Sequence, residues 1–433
     1  MTYLSNRHEQ YKIIVNSGDV MRIALFVWEY PPTIAGGLGT YAQYMAPGLV
    51  KMGHEVSVFT LNRGRLPTRE VLDGVEVHRP LISDASNVLS LIADHGLRRW
   101  GAGLKFFSDI LLYNTLSATK LLNDLIIEQG YKFDVVSYHD WLSGIAGLMV
   151  KQNSDLPCIF HVHSTEWGRT NGRGSEVVSN IEKTSSDSAD QVVTVSNAMK
   201  YDLTTHGWKE DKINVVWNGV DPSKYDPSKY SEKGVQSIRR KYQIYEDESM
   251  VLFVGRLTHV KGAMELVKSM EEVKKRSPKA KLVLLGIGEQ ENEIQRLVNT
   301  LGLTDNVKLQ FEFISEEERI QHYAASDVCV FPSTYEPFGI VSLEAMAMAK
   351  PVVVGARGVV GFAEQVIPNG PEKCGVHVNG GDPIDIAWGI DSILRDKEEA
   401  RVWGLNGRKR VLEAFTWDKA VSETLRVYQK VIH

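Results

Sequence analysis

Apolar and polar positions alternate in blocks along the chain, and the blocks predict strands and helices in turn. "RIALFVW" (22–28) is a continuous apolar run, as in a parallel strand buried on both faces. A Gly-rich loop follows, then a predicted helix from about Thr40 to Met52 and the strand "EVSVFT". Residues 85–130 read as mostly helical. "DVVSYH" (134–139), "PCIFHVH" (157–163) and "QVVTVS" (191–196) are predicted strands, and "KINVVWNGV" (212–220) closes the series. A second series begins with the strand "SMVLFVGRL" (249–257) and the helix "AMELVKSMEEVKKR" (263–276). The strand "AKLVLLGIG" (280–288), a helix, and the strands "NVKLQF", "SDVCVFPS" and "KPVVVG" continue it.

The polar tandem "DPSKYDPSKY" (221–230) between the two series reads as a linker. Two doubly wound α/β units fit this order better than one large sheet. Residues 1–20 are expected to be an extension, 21–222 the first domain and 223–411 the second. The amphipathic end of the chain, 412–433, is expected to complete the first domain. Ligand would bind at the carboxyl ends of the strands, in a cleft between the units.

Composition narrows the choice. The 433 residues are 43% hydrophobic with net charge −5, which does not suggest a broad nucleic-acid surface. Cys158, Cys329 and Cys374 are scattered, without disulfide or zinc-ligand spacing. No apolar run approaches a membrane span, and the first residues do not resemble a signal peptide. A cytoplasmic protein without an integral membrane segment is expected. Oligomeric state is not legible.

Candidate chemistry sits at strand–loop–helix junctions. "AGGLG" (35–39) offers Gly36 and Gly37, where backbone N–H groups could approach a phosphate; a structural turn fits equally well. "GRLTHVKG" (255–262) offers Arg256 and Lys261, suited to a diphosphate or to a solvated loop. "GIGEQENEI" (286–294) and "WNGVD" (217–221), with Asn218, are further junctions that also read as turns. "YHDW" and "HVHSTEW" bring His139, Asp140, His161 and His163 to neighbouring strand ends. Alternation points His161 and His163 to the same side.

"YEPFGIVSLEAMAM" (335–348) is the most specific stretch. Pro337 biases Glu336 away from helix, whereas Glu344 falls in a helix expected from about Val341. Two carboxylates beside free N–H groups suit a ligand that carries hydroxyls and phosphates.

Together these motifs resemble the retaining glycosyltransferases of the GT-B type, with two Rossmann-like domains facing across a cleft. The nearest groups are the glycogen and starch synthases, compact archaeal glycogen synthases among them, and the sucrose-synthase-like enzymes. "WEYPPTIAGGLGTY", "TVSN", "FTWDKA" and the motifs above carry the resemblance over residues 21–433. It implies that Glu336 touches the transferred sugar and Glu344 the ribose. Arg256 and Lys261 match the diphosphate pair, and Gly36 and Gly37 the phosphate loop. His163 matches the histidine near the reacting carbon, and Asp140 an acceptor-side aspartate. Asn218 and the N–H groups of Phe338, Gly339 and Ile340 would face the donor. No cofactor or metal is implied, only a nucleotide-sugar substrate.

Two departures stand out. Ile34 occupies the place of a lysine in bacterial glycogen synthases, which weakens an inference of bacterial-type ADP-glucose preference. Ala349 and Lys350 stand where the family usually has a glycine. The implied activity is transfer of glucose from UDP- or ADP-glucose to an α-1,4-glucan. The alternative acceptor is a small one, such as a sugar phosphate or a lipid-linked sugar. Arg98, Arg99 and Lys105 could serve an acceptor phosphate or form a solvated helix face. A nucleotide-sugar epimerase and a non-catalytic sugar-binding module are the remaining readings.

Overall fold

The computed structural model describes residues 20–34, 36–101 and 103–432. Apart from Val20, the expected extension 1–20 lies outside the described residues.

The first eight strands form one sheet, in the order β3-β4-β2-β1-β5-β6-β7-β8. They are β1 (Arg22–Phe26), β2 (Glu55–Phe59), β3 (Arg69–Leu72), β4 (Val75–His78), β5 (Val135–His139), β6 (Cys158–Val162), β7 (Gln191–Thr194) and β8 (Ile213–Val215). Every pairing is parallel except that of β3 with β4. The second sheet is wholly parallel, in the order β11-β10-β9-β12-β13-β14. Its strands are β9 (Ser249–Val254), β10 (Ala280–Leu285), β11 (Val307–Gln310), β12 (Val328–Phe331), β13 (Val352–Gly355) and β14 (Gly375–Val378). The continuous apolar runs produce this burial: all of β5, β6, β12 and β13 is inaccessible to solvent, with helices on both faces.

Strand order reverses where β1 meets β5 and where β9 meets β12. Such switch points leave a crevice at the carboxyl ends, because the flanking connections depart to opposite faces. The Gly-rich loop follows β1, Asp140 follows β5, Arg256 follows β9 and Glu336 follows β12. The topology therefore brings the motif-bearing loops to the reversals.

The chain crosses between the two units twice, and the crossings pair. Val220 N–H donates to Phe415 O at 3.0 Å, and a Cβ on Gly219 would come within 2.3 Å of the Thr416 backbone. The final helix, Trp417–Ile432, then packs on the helix Gly37–Lys51 of the first sheet. Tyr44 and Trp417 stack at 5.0 Å, and Val421 sits directly over Gly48.

Several boundaries differ from the pattern reading. The helix expected from Thr40 begins at Gly37, inside the Gly-rich loop. The strand expected over 212–220 stops at Val215, because residues 217–220 serve the crossing instead. The hairpin β3–β4 went unread, although Asp73-Gly74 is its turn signal; both residues have positive φ, 50° and 80°. Tyr225 of the tandem read as a polar linker is 2% exposed and packs under the second domain.

Candidate active site

Lys261 and Glu336 meet in an ion pair between the loops that follow β9 and β12. Lys261 ends a short 3-10 turn, His259–Lys261, and Gly262 follows with φ 72°. A Cβ there would come within 2.2 Å of Pro332 O, so this loop can lie against the neighbouring one only with glycine. Glu336 lies on a short extended segment: its N–H donates to Val359 O at 2.9 Å, and its O accepts from Gly361 N at 2.7 Å. Arg256 is exposed, and no side-chain hydrogen bond or ion pair engages it among the described residues. One cation is thus committed to Glu336 and one is available to an incoming anion.

Gly339 begins the helix Ile340–Ala347 with φ 84°, and a Cβ there would lie 2.0 Å from the Phe362 ring. Both strain and space require glycine. Among the described residues, the N–H groups of Phe338, Gly339 and Ile340 donate to no protein acceptor. Unpaired N–H groups at a helix start favour an anion. Phe338 is itself buried, and its carbonyl accepts from Gln365 Nε2 at 2.8 Å.

Glu344 is engaged from within. Tyr225 Oη donates to its Oε1 at 2.8 Å, Arg319 Nη2 to the same oxygen at 3.1 Å, and Tyr323 Oη to Oε2 at 2.8 Å. Burial, then the Glu344 charge, raises both phenols above their ordinary range, so both remain donors. Glu344 is 5% exposed, and one acceptor position on Oε2 is left for a ligand hydroxyl. Sequence reasoning missed Tyr225, Arg319 and Tyr323, since nothing local marks them as partners of a carboxylate 119, 25 and 21 residues away.

On the first domain, His139, His161 and His163 stack at the ends of β5 and β6. His163 Nε2 lies 3.1 Å from His139 Nδ1, and His139 Nε2 lies 3.0 Å from Ser137 Oγ. The hydroxyls of Tyr41 and Tyr428 lie 3.4 and 3.3 Å from the two nitrogens of His161. Burial lowers all three imidazoles below 6.5, so they are neutral at pH 7. Their ligand nitrogens fall within 4.8 Å of one another, a set that could hold a metal ion. Hydrogen-bond partners already account for both nitrogens of His139 and of His161.

Asp140 opens the helix Asp140–Asn153 with φ 53°, a left-handed conformation costly for any residue with a Cβ. Its Oδ1 accepts the His163 N–H at 2.7 Å and the Ser164 N–H at 3.4 Å, which fixes the loop that carries His163. Nothing lies within 4 Å of a Cβ added to Gly36 or Gly37, so the chain's own packing does not demand either glycine. What such a side chain would fill is open space. Gly36 N–H donates to Glu29 Oε2 at 3.0 Å, a partner that the motif did not reveal. Asn218 is buried, and its Oδ1 accepts no hydrogen bond from the protein. Lys105 pairs with Asp84 at 2.8 Å, whereas Arg98 and Arg99 are exposed.

The two halves of this site meet. Tyr335 Oη accepts from Thr165 N at 3.0 Å, and Glu364 accepts from Ala198 N at 2.8 Å. Loops of both sheets thus converge, with His163 and Asp140 on one side and Lys261, Glu336 and Arg256 on the other.

This arrangement agrees with the comparisons. The sequence pattern of the glycosyl transferases group 1 matches residues 235–410, and that of Glycosyltransferase Family 4 matches residues 35–224. An uncharacterised glycosyltransferase of Methanocaldococcus jannaschii is 35% identical over 94% of this chain and 98% of its own length. An α-maltose-1-phosphate synthase of Mycolicibacterium smegmatis is 29% identical over 95% of this chain and all of its own length. Among solved structures, the sucrose-phosphate synthase of Thermosynechococcus elongatus superposes with TM-score 0.73 at 24% identity, covering 95% of this chain and 98% of that one. The catalytic domain of starch synthase IV from Arabidopsis thaliana, bound to ADP and acarbose, gives TM-score 0.72 at 15% identity, covering 96% and 100%. The chain belongs to the group 1 glycosyltransferases and has their two-domain GT-B fold. Among the described residues, no helix is long and apolar enough to cross a membrane.

Proposed function

We propose that the protein transfers glucose, with retention of configuration, from a nucleotide-glucose to an α-1,4-glucan. The observation that carries this reading is the junction itself: Tyr335, beside the Glu336 that pairs with Lys261, bonds Thr165, two residues after His163. A diphosphate arriving at Arg256 would draw Lys261 from Glu336, because two phosphate charges attract the ammonium more strongly than one carboxylate does. Glu336 would then be free to accept hydrogen bonds from sugar hydroxyls. Phe338, Gly339 and Ile340 would supply N–H groups to the donor phosphate, Gly36 and Gly37 would let it approach closely, and Asn218 would lend a polar contact. Glu344 would accept from the ribose through its remaining lone pair.

In the reaction, the bond from the anomeric carbon to the phosphate oxygen breaks and a bond to the acceptor oxygen forms on the same face. The acceptor's proton passes to the departing phosphate. Arg256 and Lys261 stabilise the negative charge that develops there, where electrostatic help counts most. His163 contacts the sugar, Asp140 orients the acceptor side, and no metal or other cofactor takes part. We assign the work to the cytoplasm, where nucleotide-sugars and glucans meet.

Two kinds of relative bear on the acceptor assignment. Glycogen synthases of Mycobacterium tuberculosis are 27% identical to this chain, and a D-inositol 3-phosphate glycosyltransferase of Kineococcus radiotolerans is equally so. The exposed Arg98 and Arg99 favour a phosphorylated small acceptor as the second reading. The test is nucleoside diphosphate release from UDP-glucose and from ADP-glucose, with glycogen, with fructose 6-phosphate, and with no acceptor. Glycogen-dependent release, with an α-linked product by proton NMR, supports the proposal. Release with fructose 6-phosphate alone moves the protein to the second reading. Silence throughout withdraws both.

A further inference from the structure

Glu336 lies between two ties that join the domains. On one side its neighbour Tyr335 reaches across: Tyr335 Oη accepts the Thr165 N–H at 3.0 Å and lies 3.2 Å from Thr165 Oγ1. The ring rests so closely on Gly168 that a Cβ there would come within 2.1 Å of it. On the other side lies the segment that pairs with Glu336 through Val359 and Gly361 and carries Glu364 on its next turn, Phe362–Gln365.

Both carboxylate oxygens of Glu364 are engaged across the junction. Its Oε1 accepts the Ala198 N–H at 2.8 Å, and its Oε2 accepts from Asn197 Nδ2 and Trp217 Nε1, each at 2.9 Å. Ala198 stands in the first turn of the helix Asn197–Thr205, whose N-cap, Ser196, already serves Met199 N–H. A helix start leaves several N–H groups unsatisfied and carries positive partial charge. A carboxylate from the other domain is well suited to one of them. Trp217 lies on the crossing segment itself, so Glu364 holds the hinge and the helix together.

We propose that Tyr335 and Glu364 are positioning residues that make domain closure and the placement of Glu336 a single event. When the domains part, Thr165 withdraws from Tyr335 and Ala198 from Glu364. The segment that bears Glu336 is then anchored only within its own domain. Closure restores both ties and sets Glu336 opposite His163. This inference rests on the role proposed above for Glu336, but its geometry can be read without catalysis.

The experiment uses the full chain and the variants Glu364→Ala, Glu364→Gln, Tyr335→Phe and Glu364→Ala/Tyr335→Phe. Four quantities are read: hydrogen exchange at the Ala198 amide, the radius of gyration with UDP-glucose or ADP-glucose, the Kd for UDP and ADP, and kcat. The expected result for Glu364→Ala is faster exchange at Ala198, a larger radius with donor, and kcat lowered at least about tenfold. Kd should change less than about threefold, since Arg256 and Lys261 are untouched. Glu364→Gln keeps one acceptor oxygen and should fall between wild type and Glu364→Ala. The double variant should lose little more than the worse single variant, because one closing event is lost only once. Unchanged radius and kcat in Glu364→Ala, or a loss of UDP binding as large as the loss of kcat, would overturn the proposal. Multiplying losses in the double variant would overturn its single-event part. If Glu364→Ala does not fold, Glu364→Gln and Tyr335→Phe carry the same readouts. A wild type silent toward every donor refutes the enzymatic reading alone; exchange and scattering still decide the clasp.

Discussion

Lys261 and Glu336, 75 residues apart in sequence, form an ion pair with side chains only 19% and 11% exposed. Either charge alone would be costly to desolvate, so each is a condition for the other's place. Glu336→Ala should therefore leave Lys261 free for phosphate while removing the sugar contact. Turnover should fall about 100-fold or more while the Kd for nucleoside diphosphate shifts less than about threefold. Lys261→Ala should do the reverse in binding, weakening nucleoside diphosphate about tenfold or more. Titration calorimetry beside steady-state kinetics separates the two. Comparable losses in binding and turnover for Glu336→Ala would remove its assigned contact with the sugar.

The pair also marks how far sequence reading reaches. Continuous apolar runs disclosed the parallel strands, because burial on both faces leaves few polar positions in them. Pro337 and Gly339 disclosed the loop of Glu336, because each limits the backbone locally. The partners of Glu344 stayed hidden. Tyr225 looked like a linker residue because its neighbours Lys224 and Asp226 are polar, yet tertiary packing buries its ring. The clasp of Glu364 on Ala198 spans 166 residues and has no local signature. Contacts between domains depend on how the two sheets meet, which no periodicity records.

Glu344→Ala tests whether that residue is first a structural one. It would strip Arg319 of its carboxylate, leave the buried Tyr323 phenol without an acceptor and leave Tyr225 only its longer bond to Glu316 Oε1 at 3.3 Å. Breaking a buried pair costs about 3–5 kcal/mol, so urea unfolding of the second domain should shift to markedly lower midpoint. Glu344→Gln keeps shape and one acceptor and should cost about half as much or less. A Glu344→Ala variant with wild-type stability and weakened nucleoside diphosphate binding would instead mark a residue devoted to the ribose.

His78 predicts an acid limit to stability. It is 1% exposed and stacked on Phe59; neither ring nitrogen has hydrogen-bond geometry to a partner, although Glu76 Oε1 lies 3.4 Å from Nε2. Burial brings its pKa down to about 4; Glu76 pulls it the other way, while the charges of Arg69 and Lys120 lower it further. The unfolded chain binds this proton below about pH 6.5, whereas the folded chain binds it only below about 4. Stability is therefore intact above pH 6.5 and declines as pH falls toward 4, by about 3 kcal/mol from this group. His78→Phe should flatten that decline in urea titrations of the full chain between pH 6.5 and 4. An unchanged slope would refute the assignment to His78.

Ala349 holds φ 55° just after the helix Ile340–Ala347, a position usually given to glycine. Its N–H donates to Met346 O at 2.9 Å, and Lys350 N–H donates to Ala345 O at 3.0 Å, so the turn closes the helix despite the methyl group. Lys350 explains part of the local sequence: its Nζ donates to Ala324 O and Ser326 O, each at 2.8 Å, and finishes the helix Glu316–Ala325. Nothing in those contacts needs the Ala349 methyl. A left-handed residue with a Cβ costs roughly 1 kcal/mol more than glycine there, partly offset by the freedom that glycine has when unfolded. Ala349→Gly should thus stabilise the second domain by about 0.5–1 kcal/mol, read as a higher urea midpoint with unchanged slope. Gly404→Ala supplies the contrast, since its Cβ would lie 2.0 Å from Ala349 O. Backbone meets backbone at that point, so the clash cannot be relieved by a rotamer change. It should destabilise by about 1–3 kcal/mol or more. If Ala349→Gly lowers the midpoint instead, the methyl makes a contribution that these contacts do not contain.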